Sequence, residues 1–268
     1  MFEYCPDMRD FSPGWATDLA VLQHMGSTVE DRDDHLVVRT PLNVDFHWGN
    51  CLFVRDEDTV DDAPRWVKTF HAAFPEATWV AIGLARMPDD ATAWAGLELD
   101  LELDDVLTTR TLPRQTPRPA GYGVRRLAGE DWNQSISRGV AENQRTGEYE
   151  LASHERFVRA QVQGRRAMSE RGVAAFFGAF SDDLLVAELG IVTCGSTARY
   201  QSVGTDDEHR RRGLASHLLG VAAMWAAEGG CDQWVIVTES TNTAGRVYRG
   251  AGFQPDIGNA QAYRRPAR

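Results

Sequence analysis

"TDDEHRRRGLASHLL", Thr205 to Leu219, sets two aspartates, a glutamate, a histidine and three consecutive arginines directly against a glycine, small residues and an apolar run. Leu214, Leu218, Val221, Ala222 and Trp225 recur at helical spacing, so the stretch reads as a strand end, a charged turn and the start of a buried helix. A helix N-terminus presents unpaired N–H groups and the positive end of the helix dipole. Gly213, Ala215 and Ser216 leave room for close approach there, and Arg210, Arg211 and Arg212 add positive charge at the same place. These residues suit a diphosphate. An exposed basic turn ahead of an amphipathic helix accounts for the charges equally well, so the order of the surrounding elements has to decide.

That order is readable after the segment "TRTLPRQTPRPAGYG", Thr109 to Gly123, whose prolines and glycines predict a linker near 111–121. A strand is expected at 122–127, helices at 130–143 and 152–171, then strands "VAAFFGAF", "LLVAELGIVT" and "STARYQSVGT". A helix from Gly213 to Glu228 is stopped by Gly229-Gly230. A strand "DQWVIVT", a helix from Asn242 to Arg249 and terminal strands around "FQPD" and "QAYRR" complete the chain. The class is α/β (α+β), a mixed, mostly antiparallel sheet flanked by helices.

With this frame, Arg210-x-x-Gly213-x-Ala215 resembles the Q/R-x-x-G-x-G/A signature of the GNAT superfamily of N-acetyltransferases. Arg118-x-x-Gly121-x-Gly123 fits the same pattern but precedes a strand and has no helix terminus to offer. Downstream, "TNTAGRVYRGAGFQP" is similar to the superfamily's last motif, with Tyr248 four residues before Gly252-Phe253. The position seven before that tyrosine, usually asparagine, holds Thr241, and Asn242 follows it. The resemblance covers roughly residues 120–268. It implies a domain at 116–268 that binds acetyl-CoA as acyl donor. Val203, Gly204 and Thr205 would face the pantetheine arm, Arg210 would open the diphosphate loop, and Arg211, Arg212, Gly213, Leu214, Ala215 and Ser216 would hold it, with Asn242 as a further contact.

The reaction so implied is direct transfer of an acetyl group to a primary amine of a small molecule or peptide, in a ternary complex. Tyr248 is the candidate acid for the departing thiolate, although a tyrosine at helical spacing is also an ordinary core residue. An alkylamine with a pKa near 10 is neutral only to about one part in a thousand at pH 7, so a base or desolvation must remove its proton. Glu239, at the end of "WVIVTE", and Glu188, inside "LLVAELGIV", are the candidate carboxylates. Glu142, Glu148 and Glu150 lie between the early helices, where they either attract an ammonium group or form a solvated face. A non-catalytic acyl-CoA-binding sensor or scaffold is the rival reading.

Residues 1–115 carry 9 basic and 22 acidic side chains, a net charge of −13, while residues 116–268 come to +2. No basic stripe spans the chain, which disfavours nucleic acid as a partner. Within the first part, "VDFHWGNCLFV", "TWVAIGL" and "LELDLELDDVL" read as strands and "APRWVKTFHAAF" as a helix. Gly96-Leu97 stands where a closing Gly-hydrophobic pair would, but Thr92 replaces the tyrosine. Residues 1–115 therefore resemble a degenerate GNAT copy, as in tandem acetyltransferases of the mycothiol-synthase type, or form an accessory α/β domain.

Other chemistries lack their residues. The only lysine, Lys68, has no P-loop glycine before it, and no G-x-S-x-G elbow occurs. Cys5, Cys51, Cys194 and Cys231 are far apart and read as reduced thiols, and His47 with Cys51 lacks a second ligand pair, so no metal is expected. Neither a long apolar run nor a signal-like start is visible, so a cytoplasmic monomer or homodimer away from membranes is the expectation.

Overall fold

The computed structural model describes residues 11–266, which leaves Cys5 and the N-terminal segment outside it. The chain divides into two compact units, one formed by residues 1–106 with 256–268 and the other by Leu107–Pro255. The break expected at 115/116 is therefore displaced, and the last strand belongs to the first unit. Strand pairing explains this, because that strand lies between two strands of the first unit's sheet.

In the first unit, β1 (Thr28–Asp31), β2 (His35–Arg39), β3 (Cys51–Val54) and β4 (Val80–Leu84) are followed by β12 (Asn259–Arg264) and β5 (Asp100–Thr109), whose first residues lie in this unit. β1, β2 and β3 are antiparallel, β4 runs parallel to β3, and β12 pairs antiparallel with both β4 and β5. Helices α1 (Pro13–His24), α2 (Ala63–Ala73) and α3 (Thr92–Ala95) accompany the sheet. Trp66, Trp94, Phe53 and Phe70 fill its core and are fully buried. The expected strand over 44–54 is shorter, since His47–Gly49 forms a 3-10 turn before β3. That over 97–107 begins only at Asp100, after a turn in which Glu98 has φ 58°.

In the second unit the sheet order is β10 (Gln233–Glu239), β9 (Thr197–Thr205), β8 (Leu184–Cys194), β7 (Ala174–Ser181), β6 (Gly123–Arg126), and β11 (Gln254–Pro255) pairs with the end of β5. Side chains alternate across a strand. Ala187, Leu189 and Ile191 of β8 pack with α6 (Leu214–Glu228), whereas Glu188 turns to α4 (Asp131–Thr146), which with α5 (Leu151–Glu170) covers the other face. Gly190, on that second face, has no room for a side chain, since a Cβ there would sit 2.3 Å from the Phe176 ring, itself packed edge-on against Trp132 of α4.

The proline-rich segment is no free tether. Gln115 donates to the Gly220 carbonyl at 3.1 Å, His217 Nδ1 donates to the Thr116 carbonyl at 2.7 Å, and the Tyr122 hydroxyl shares a 2.9 Å hydrogen bond with His209. The segment thus runs along α6 as part of the second unit.

His47 and Cys51 do not form a metal pair. The imidazole is stacked on Trp79 at 4.4 Å and hydrogen-bonded to the Tyr263 hydroxyl at 2.7 Å, while the Cys51 thiol is buried and donates to the Trp48 carbonyl. Burial lowers the His47 pKa from 6.5 to about 4, with Asp45 opposing and Arg265 adding to the shift. A depressed histidine stabilises the fold above its unfolded pKa and loses that contribution as pH falls through its folded one. The protein should therefore lose about 3 kcal/mol of stability between pH 6.5 and 4 from this group. Denaturant titrations of the parent and of His47→Phe across that window check it, and an equal slope in both would refute the assignment.

Candidate active site

Strands β9 and β10 pair in parallel at Thr197–Gln233, Ala198–Trp234 and Arg199–Val235. Beyond that point β9 runs on to Thr205 and β10 to Glu239 without further pairing between them. The parting has a local cause in β9. Against β8, Glu188 faces Gly204 and Gly190 faces Gln201, so β9 carries one residue more than its partner over this step. Ser202 takes up that residue in the left-handed region, at φ 54°. A bulge of this kind bends the strand and strips its ladder locally, leaving backbone groups of Ser202 to Thr205 at the mouth of a fork.

The charged turn follows at once. Asp207–His209 forms a 3-10 turn, Arg211 has φ 60°, and Gly213 caps α6 at φ 81°. No side chain caps this helix. The backbone N–H groups of Arg211 to Ser216 find no acceptor among the described residues. Orphan donors at a helix start, with backbone in alternating handedness before them, form an anion-binding concavity. The arginines divide their work. Arg210 Nε donates to the Thr205 carbonyl and its Nη2 pairs with Asp207 at 2.8 Å, while Arg212 donates to the Glu208 carbonyl. Arg211 is exposed and has no partner among the described residues. Asp207 thus offsets the charge of Arg210, while Arg211 and Arg212 keep theirs.

Tyr248 lies on α7 (Ala244–Gly250) and is 4% exposed. Burial raises its hydroxyl pKa to about 12, and the Arg199 guanidinium, at the last paired register of β9 and β10, opposes that shift. The hydroxyl is thus within electrostatic reach of Arg199, while the side chain packs in the core that includes Leu218 and Ala222 of α6. Asn242 sits before α7 and uses its Oδ1 to accept the Ala244 N–H at 2.9 Å. Glu239 is exposed at the end of β10.

Glu188 has a different setting from Glu239. Its Oε2 accepts from the Ser135 hydroxyl at 2.7 Å and its Oε1 from Arg138 at 2.9 Å. Arg138 also donates through Nε and Nη2 to Asp206, and its Nη2 lies 3.9 Å from where a Cβ on Gly204 would be. This network joins α4, the acidic turn and the bulged strand. Beside it, residues of α4, α5 and β8, among them Glu142, Glu148, Tyr149, His154, Phe157 and Glu188, line a cavity of about 230 Å³. Glu150 has another task, capping α5 by accepting the Ala152 and Ser153 N–H groups.

The bulge and the Arg138 bridge were not among the features expected from the sequence, whereas Glu142, Glu148 and Glu188 of the cavity's lining were. Glu188, a carboxylate amid an apolar strand, was the visible trace of the bulge and the bridge. Among the described residues no group of three or more potential metal ligands occurs, and no helix is long and apolar enough to cross a membrane.

Arg138 is half of a mostly buried ion pair, with 17% and 13% of the Arg138 and Glu188 side chains exposed. Arg138→Ala leaves Glu188 buried without its cation and should cost about 3 kcal/mol of stability. Urea denaturation tests this, and a loss below about 1 kcal/mol would show the bridge to be dispensable.

Residues 135–253 match the family described as acetyltransferase (GNAT) family. No curated protein matches the chain. Among solved structures, a GCN5-related N-acetyltransferase from Kribbella flavida aligns with a TM-score of 0.65 at 16% identity, covering 92% of this chain and 93% of that one. A functionally unknown conserved protein from Staphylococcus epidermidis aligns at 0.64 with 10% identity, covering 91% and 96%. A tandem GNAT protein from the clavulanic acid biosynthesis pathway aligns at 0.55 with 15% identity, covering 90% and 84%. At these identities the likeness is one of fold. The residues that match the acetyltransferase (GNAT) family, 135–253, therefore lie in the second unit, and the chain shares its fold with GCN5-related N-acetyltransferases.

Proposed function

We propose that the second unit is an N-acetyltransferase that moves the acetyl group of acetyl-CoA to the primary amine of a small acceptor. The observation that carries this reading is the fork between β9 and β10 next to the unsatisfied N–H groups of Arg211 to Ser216. A diphosphate fits those donors, and Arg211 and Arg212 add charge that a bound anion would neutralise. Val203, Gly204 and Thr205 would hold the pantetheine arm through backbone groups at the fork.

Acetyl-CoA, when bound, supplies the thioester carbonyl and a thiolate leaving group. The C–N bond forms as the C–S bond breaks; of the two protons that the acceptor ammonium loses, one ends on sulfur and one in solvent. Tyr248 is the donor to sulfur. With its pKa pushed up to about 12, the hydroxyl stays protonated at assay pH. Complete transfer to a thiolate of pKa about 8.5 is uphill by about 5 kcal/mol, so its work is a hydrogen bond that strengthens as charge develops on sulfur. Of the two carboxylates, Glu188 lines the cavity and faces the bulged strand, which favours it over exposed Glu239. Its carboxylate would draw the ammonium in, with water carrying the proton out.

The first unit reads as a worn copy of the same plan. It repeats three antiparallel strands, a helix and a strand parallel to the third, namely β1–β3, α2 and β4, as β7–β9, α6 and β10 do. At the start of α2, Asp61 and Asp62 replace arginines. Asp62 caps the helix, and Asp61 accepts the Asp89 and Asp90 N–H groups and pairs with Arg86. Its carboxylates occupy the place that an anion would need.

Calorimetry with acetyl-CoA should show binding, weakened about tenfold by Arg211→Ala with Arg212→Ala and weakened further by salt. Absence of binding would remove the transferase and a sensor role together. A thiol-release assay over an amine panel separates those two. Tyr248→Phe should lower kcat by at least about tenfold with donor affinity intact. The parent's rate should rise with pH as the acceptor loses its proton, without a downturn below pH 10 from Tyr248.

A further inference from the structure

The cavity behind β8 contains a cation that the proposed transfer leaves unused. Arg165 belongs to the inward stripe of α5, where Val158, Val162 and Met168 are buried, and it lines the cavity with Gln161 and Glu188. It is partly buried and makes no hydrogen bond or ion pair among the described residues. Burial pushes its guanidinium below the ordinary value, and Glu188 opposes that shift from a distance. Glu188 makes no hydrogen bond to Arg165; its two oxygens are directed to Ser135 and Arg138, and each keeps a further lone pair. On the same helix, the Gln161 Oε1 is buried without a hydrogen bond. A guanidinium on an inward face without a carboxylate is costly, and chains ordinarily pair it or replace it by an apolar residue.

We infer that Arg165 receives the carboxylate of the acceptor, so that the molecule acetylated here is a small amino-carboxylate, an amino acid or a close analogue. This rests on the reading of the cavity as the acceptor site. The cavity, at about 230 Å³, is smaller than the roughly 300–1,000 Å³ of drug-sized pockets, which suits such a molecule. Its charges are of both signs. Glu188 faces Gly204 beside the bulge and marks the amine end, while Arg165 on α5 offers parallel N–H donors that match a carboxylate. The acetyl group thus goes to the end of the zwitterion held at the bulged strand, and the other end fixes its orientation.

The test is calorimetry of the full chain, without donor, against a panel of standard amino acids and the same amino acids as methyl esters. At least one free acid should bind about tenfold or more tightly than its ester. Arg165→Met should erase that preference while leaving acetyl-CoA affinity unchanged and the thermal midpoint at or above the parent's, since it removes an unpaired charge from an inward stripe. Arg165→Lys should retain part of the preference. A panel in which no acid is preferred over its ester, or a preference that survives in Arg165→Met, overturns the inference. So does an Arg165→Met protein with a lowered midpoint and lost acetyl-CoA binding, which would make the arginine structural. Acetyl-CoA binding without acid-over-ester preference removes this inference alone. An acid preference without acetyl-CoA binding removes the transferase reading and with it the acetylation of the bound acid, and upholds only the carboxylate site at Arg165.

Discussion

A parallel strand pair that stops pairing after Arg199 and Val235 is the constraint on which the second unit depends. Within a sheet, unpaired backbone groups are a liability that folds ordinarily cover. Here the separation is enforced by one extra residue, Ser202, whose left-handed conformation bends β9 away. The same bend carries the chain into the arginine turn and sets the start of α6, so a strand defect and a helix terminus with free donors arise from one local geometry. The proposed chemistry requires both, because an extended arm has to enter where backbone groups are open and its charged end has to finish where donors are free.

Polar groups on the α4 side of the sheet serve that geometry. Arg138 lies between Glu188 and Asp206, binding a helix to the strand before the fork and to the turn after it. Arg138 and Glu188 form a mostly buried pair whose third member, Asp206, is 41% exposed, and such pairs fix conformation without necessarily adding stability. Two carboxylates on one guanidinium also explain why Glu188 is neither free nor solvated.

Much of the second unit was legible because its signals are local. The helix after Gly213, its stop at Gly229-Gly230 and the tyrosine before Gly252-Phe253 all follow from spacing and glycine placement, and the expected strands fall within a few residues of those found. What was illegible is non-local. No pattern around Ser202 announces a bulge, since the extra residue exists only relative to β8. Asp206 carried no meaning until Arg138, far away in sequence, was beside it. The short turn at His47–Gly49 broke an apolar run that reads as strand because Asn50 satisfies backbone groups from its side chain, accepting from Thr40 and donating to Asn43 and Phe46. Arg165 was not singled out in the sequence, because its lack of a partner is a property of the packed molecule.

Strand β12 lies between β4 and β5, yet it is made after the whole of the second unit, residues 107–255. During synthesis the first unit therefore waits with a gap in the middle of its sheet while the contiguous residues 107–255 emerge and can close on themselves. The usual order, in which N-terminal regions finish first, is inverted here. Until residue 264 has left the ribosome, the edges of β4 and β5 present unpaired backbone and apolar surface, which makes the early part of the chain the one in need of chaperone protection. A ribosome that stalls before β12 would hold a finished second unit attached to an unfinished first one.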